Sequence, residues 1–94
     1  MEEIFKASRW KDTFAPDEVI LSDTGVTFKI NEIIGGSENF VFYKDISGIE
    51  IDKGLLFATI KVIPRARQEI VIENFTKDDA EKIKAIILSK VQLS

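Results

Sequence analysis

The last third of the chain is an alternating strand that runs directly into one capped helix. In Gln68-Glu69-Ile70-Val71-Ile72-Glu73-Asn74-Phe75, Ile70 and Ile72 share one face and Glu69 and Glu73 the other. That period of two is expected of a half-buried strand. The pattern changes at Thr76-Lys77-Asp78-Asp79-Ala80. Thr76 stands where an N-cap accepts the amide of Asp79, and Asp79 takes the place of a capping-box glutamate. Phe75 can pack on Ala80 as a hydrophobic staple. Asp78 and Asp79 suit the positive end of the helix dipole, and Lys90 the negative end. Ala80, Ile83, Ile87 and Val91 form an apolar stripe widened by Ile86 and Leu88, with Glu81, Lys82, Ala85 and Ser89 toward water. A single helix with so broad a stripe must cover a sheet or the mouth of a barrel.

Upstream, the chain reads as short strands. Val19 and Leu21 share a face, and Ser22-Asp23-Thr24-Gly25 is a tight turn in which Gly25 is free to take positive φ. Val26, Phe28 and Ile30 alternate with Thr27 and Lys29. Residues 31–39 hold Gly35-Gly36-Ser37 and read as a loop, followed by the strand Phe40-Val41-Phe42-Tyr43. Apolar residues at Ile46, Ile49 and Ile51 slip by one position near Ser47-Gly48, the signature of a bulge or bend. Asp52-Lys53-Gly54 then reads as a hairpin turn. The longest strand is expected from Leu55 to Ile63. Its core face is Leu56, Ala58, Ile60 and Val62, and its outer face is Leu55, Phe57, Thr59, Lys61 and Ile63. Pro64 ends it, and Arg65-Ala66-Arg67 turns the chain.

Before residue 16 the spacing differs. Ile4, Ala7, Trp10 and Phe14 lie three to four residues apart, a helical spacing, and Ala15-Pro16-Asp17 ends the segment. Residues 1–16 are therefore expected to be a short helix packed on the domain or a docking arm. Residues 17–94 are expected to be the domain proper.

Ninety-four residues make one domain with one modest core. The chain has neither cysteine nor histidine. It thus lacks disulfides, thiolate metal ligands, the commonest general base and the commonest metal ligand. No cofactor is expected, and any metal would have to be held by oxygen ligands. A net charge of −3 argues against nucleic acid, which requires a dense basic face. The acidic start Met1-Glu2-Glu3-Ile4-Phe5 is not a signal peptide, and no run of about 18 apolar residues exists to span a bilayer. A soluble cytoplasmic protein is expected.

Asp17-Glu18-Val19-Ile20-Leu21, Gly25-Val26-Thr27-Phe28, Tyr43-Lys44-Asp45-Ile46-Ser47-Gly48-Ile49-Glu50-Ile51, Lys53-Gly54 and Asn74-Phe75 together give a likeness over residues 17–92. The chain resembles the pleckstrin-homology (PH)-like superfold, and within it the small bacterial PH domains. The resemblance implies a mainly β fold. Six to seven antiparallel strands would form a barrel of two packed sheets, with one C-terminal helix capping an open end. Many eukaryotic members bind phosphoinositide headgroups through lysines and arginines near the first hairpin. If strands 18–22 and 25–30 are that hairpin, its turn is short and acidic and would repel an anion. If residues 4–9 are an extra first strand, the loop instead holds Arg9 and Lys11. Bacterial relatives mostly have no assigned activity, and some assemble into rings, so the resemblance implies self-association as one outcome.

Candidate sites follow from the residues. Leu55, Phe57 and Ile63 on the outer strand face, with Trp10 and Phe14 in the N-terminal segment, are protein-interface candidates, because contiguous exposed apolar surface marks interaction sites. The competing reading is that the N-terminal segment covers that strand within one chain. Lys61, Arg65 and Arg67 are anion-binding candidates, able to grip a phosphate or carboxylate. The competing reading is a solvated turn paired with Glu69 or Glu73. Gly35-Gly36-Ser37 lacks the lysine and the helix start of a phosphate cradle. Asp45 and Asp52 fit turn chemistry, Asp78 and Asp79 fit helix capping, and no serine sits in a nucleophile elbow. The sequence therefore reads as a non-enzymatic interaction module. Its expected partner is a protein or a second copy, with an anionic membrane headgroup as the alternative and an uncharacterised enzyme as the third reading.

Overall fold

The computed structural model describes residues 2–8, 16–32 and 35–93. Among the described residues seven antiparallel strands form two sheets, closed by one C-terminal helix. The four-stranded sheet runs β1 (Glu3–Lys6), β2 (Glu18–Leu21), β3 (Gly25–Asn31) and β4 (Gly36–Phe42) in spatial order. A 3-10 turn at Tyr43–Asp45 leads into the three-stranded sheet of β5 (Ile46–Lys53), β6 (Ala58–Pro64) and β7 (Ile70–Phe75). Helix α1 spans Lys77–Leu93 and lies on β5, β6 and the 3-10 turn.

The core is what the alternation selects. Val19, Leu21, Val26, Phe28 and Val41 point inward from the first sheet. Ile49, Ala58, Ile60, Val62, Ile70, Ile72 and Phe75 point inward from the second, and Ala80, Ile83 and Ile87 close the core from α1. Each large side chain fully withdrawn from water contributes about 1.5–3 kcal/mol. The helix start behaves as its sequence reads: Asp79 donates its amide to Thr76 Oγ1 at 3.2 Å. Lys53 Nζ reaches Glu81 Oε2 at 2.8 Å, tying the end of β5 to α1. The Lys53 hydrogen bond and charge hold the Glu81 carboxyl below its ordinary range.

Several expectations change. Residues 3–6 form a strand rather than a helix, because Phe5 and Ala7 pack on the core while β1 pairs with β2 from Glu3↔Leu21 to Lys6↔Glu18. The rest of the segment expected to be helical, residues 9–15 with Trp10 and Phe14, lies outside the described residues. The loop expected over residues 31–39 is shorter: β4 already starts at Gly36, and its partner Asn31 on β3 sets the register. Ile33 and Ile34 lie outside the described residues. Tyr43 leaves the strand for the 3-10 turn, where its hydroxyl donates to the Ser22 carbonyl at 2.6 Å.

The β5–β6 hairpin is also displaced. β5 continues to Lys53, and the turn is closed by the Gly54 amide donating to the Phe57 carbonyl at 2.8 Å. β6 therefore starts at Ala58, not Leu55, and Leu56 is exposed instead of buried. The expected slip near Ser47-Gly48 is present as a register shift between Ile46 and Gly48. Gly25 is required for a different reason than the one expected. It lies in β3, and positive φ is confined to Gly35, Gly36 and Asn74 among the described residues. A Cβ on Gly25 would meet the Phe40 ring and the Val41 carbonyl, both at 2.5 Å.

Candidate functional site

Four of the candidate side chains, Leu55, Phe57, Arg65 and Arg67, lie on two surfaces of the barrel. The first is the β5–β6 hairpin turn. Leu55 is 91% exposed and Leu56 62% exposed, while Phe57 is half-buried. With Asp52, Thr59 and Asn74 they line an open groove of about 540 Å³. Asn74 has φ of 72° and lies at the end of β7, just before the helix cap. Its carbonyl accepts the Ser8 amide at 2.8 Å. The chain therefore departs toward residues 9–15 from the rim of this same groove.

The second surface lies between the outer edge of β4 and the β6–β7 turn. Phe40, Phe42, Asp45, Pro64, Arg65 and Arg67 line a groove of about 340 Å³ there. Phe40 and Phe42 are 42% and 47% exposed, and their rings meet edge to face at 5.0 Å between centroids. Lys44 Nζ lies 5.7 Å from the centre of the Phe42 ring. Arg65 Nε donates to the Lys44 carbonyl at 3.1 Å, and Arg67 Nη2 to the Phe40 carbonyl at 2.9 Å.

The anion-binding candidates are thus divided. Arg65 and Arg67 share the second groove. Lys61 sits on the outer face of the three-stranded sheet, opposite Glu50 and Val71, with Asp52 Oδ2 3.4 Å from its Nζ. Four residues of extended strand separate Lys61 from Arg65, roughly 13 Å. The interface candidates divide in the same way. Leu55 and Phe57 meet at the first groove. Ile63 is half-buried at the far end of β6 opposite Gly48, roughly 20 Å of strand from Phe57. Trp10 and Phe14 lie outside the described residues.

Sequence reasoning missed Leu56, Phe40, Phe42 and Lys44. Leu56 was hidden by extending the β6 alternation three residues too far, to Leu55 instead of Ala58. Phe40 and Phe42 could have been found, because they share one face of a strand whose opposite face carries the buried Val41.

Among the described residues no cluster of three or more acidic, histidine or cysteine side chains could hold a metal. Asp78 and Asp79 lie in the first turn of α1, and Asp45 in the 3-10 turn. Gly36 opens β4, not a helix, and Gly35 precedes it. Tyr43 has its hydroxyl pKa raised, first by burial and then by the charges of Asp23 and Glu3, so it stays protonated as a hydrogen-bond donor. Among the described residues no helix is long and apolar enough to cross a membrane.

Compared with known protein families, residues 10–88 match the model of a bacterial PH domain. No curated protein and no solved structure matches the chain.

Proposed function

This chain belongs to the bacterial PH domain family, and from that membership we propose that it is a non-catalytic module that binds another protein or a second copy of itself. The observation that carries the reading is the β5–β6 turn, with Leu55 and Leu56 in water. Hairpin turns are ordinarily built from glycine, asparagine, aspartate and serine, which satisfy the backbone without an apolar cost. Two leucines at the tip add nothing to the core, so their use is at a contact surface. Phe57 extends that surface, and Trp10 and Phe14 follow Ser8, which is anchored on its rim. Ile63 would serve a separate contact on the outer face of β6.

The test is a cross-linked pull-down from the native cell, run with the natural chain and with Leu55→Ser/Leu56→Ser. It is combined with light scattering of the natural chain over about 1–500 μM, a range that brackets weak interfaces. The double variant should lose the captured protein or the self-associated species. Unchanged capture by the variant, together with a monomer at every concentration, would sink the reading.

A second reading rests on one specific observation. Because β1 pairs with β2, the first pair of strands is β1 and β2, and the sequence between them is residues 7–17, not the acidic turn at residues 22–25. That stretch of sequence contains Arg9 and Lys11, which lie outside the described residues. In the superfold this chain resembles, headgroup ligands lie at that position. Flotation with phosphoinositide vesicles tests it, and binding that does not weaken with salt would count against it.

A further inference from the structure

We propose that the open edge of β4 is a docking site for an acidic peptide in extended conformation, which pairs with β4 as an added strand. This rests on the protein-binding reading and assigns it a second site and a ligand chemistry. Among the described residues β3 is the one strand that pairs with β4. The direction of its backbone groups follows from two bonds. The Tyr43 amide donates inward to the Thr24 carbonyl, and the Phe40 carbonyl accepts outward from Arg67. In an antiparallel pair these directions alternate, so the amides of Phe40 and Phe42 and the backbone groups of Glu38 face the open edge. An edge of that kind is a template for another chain. Arg67 already supplies one donor where an incoming strand would place an amide.

The charge around this edge selects the partner. Lys44, Arg65 and Arg67 stand there against Asp45 and Glu38, whereas the whole chain has 13 cationic and 16 acidic residues. A second copy fits poorly. A two-fold axis near Phe40 would bring two Arg67 guanidinium groups, each held at the Phe40 carbonyl, against one another. An acidic strand instead places carboxylates beside Arg65, Arg67 and Lys44, and its apolar side chains on the Phe40 and Phe42 rings. Strand addition of this type takes affinity from main-chain hydrogen bonds and specificity from the side-chain surface.

Phe42 gives a discriminating variant. Its φ is −66°, the value proline requires, and its amide faces the open edge. Phe42→Pro therefore removes an edge donor with no demand for a new backbone conformation, and Phe42→Ala is the control for loss of the ring. The probe is an acetylated peptide of about eight residues alternating glutamate and valine, matched to ordinary strand length. A lysine–valine peptide is the charge control, and phosphatidylserine vesicles are the membrane control. Binding is read by fluorescence anisotropy and by amide shifts of Glu38 and Phe40. The expected result is that the natural chain and Phe42→Ala bind the acidic peptide, while Phe42→Pro binds at least about tenfold more weakly at an unchanged urea midpoint. Arg65→Gln/Arg67→Gln should weaken binding, and the lysine peptide should not bind. Equal binding by Phe42→Ala and Phe42→Pro overturns strand addition. So does binding to vesicles without the peptide, or no peptide binding up to about 1 mM. None of these failures touches the Leu55–Leu56 reading, which the pull-down decides separately.

Discussion

Gly25 lies beneath the Phe40 ring, and that contact links a turn-forming sequence to an exposed aromatic. Because a Cβ there would meet both the ring and the Val41 carbonyl at 2.5 Å, relief requires backbone movement as well as ring rotation. Gly25→Ala is expected to destabilise by roughly 1–3 kcal/mol, read as a lower urea midpoint at an unchanged slope. Tyr43 gives a second measurable effect. Its hydroxyl is held 2.6 Å from the Ser22 carbonyl. Tyr43→Phe should cost about 1 kcal/mol by the same assay. Burial raises its pKa in the folded protein above the ordinary value of 10.0. The protonated form is therefore the one that folding favours. Its contribution is complete below the unfolded pKa and is lost as pH rises through the folded one. Absorbance at alkaline pH should show this single tyrosine titrating above the value found in denaturant.

The segments of chain differ in how openly their sequences declare them. The strand–helix junction was legible because every local signal agreed: alternation to Phe75, a cap at Thr76, acid in the first turn and a 3.6-residue stripe. Thr76→Ala should lower stability by about 1 kcal/mol, with the loss localised to early hydrogen exchange in the first turn of α1. The β5–β6 hairpin was misread because Leu55 and Leu56 continue the apolar alternation of β6 backwards. Only the backbone bond from Gly54 to Phe57 shows where the turn closes. Since those leucines touch little of the core, Leu55→Ser/Leu56→Ser should leave stability within about 0.5 kcal/mol, measured by urea unfolding. A partner lost at unchanged stability then reports binding alone. The candidate site was harder to read than the fold. Pairing Arg65 and Arg67 in one groove while placing Lys61 a strand away depends on sheet register, which no local pattern states.

The barrel as a unit depends on where its first hairpin lies, and helical spacing in the first residues concealed this. Ile4, Ala7, Trp10 and Phe14 fit a helix by period, yet β1 occupies residues 3–6 because pairing with β2 hides Phe5 and Ala7 against the core. The chain is then held by Ala7 donating to the Asp17 carbonyl and Ser8 donating to the Asn74 carbonyl, both at 2.8 Å. The second bond joins the first sheet to the end of the second. Removing residues 1–16 should therefore destabilise the remainder by about 2–4 kcal/mol, from lost ladder bonds and partly lost burial of Phe5 and Ala7. It should also expose β2 as a new edge, so light scattering should show concentration-dependent aggregates absent from the full chain. If residues 17–94 alone unfold at the urea midpoint of the full chain and stay monomeric, β1 is a dispensable arm. In that shortened chain the first hairpin is β2–β3, with the acidic turn at Ser22 to Gly25. It lacks Arg9 and Lys11, on which the headgroup reading rests, while the Leu55–Leu56 surface and the β4 edge remain as they are, so headgroup binding that survives in it would sink that reading.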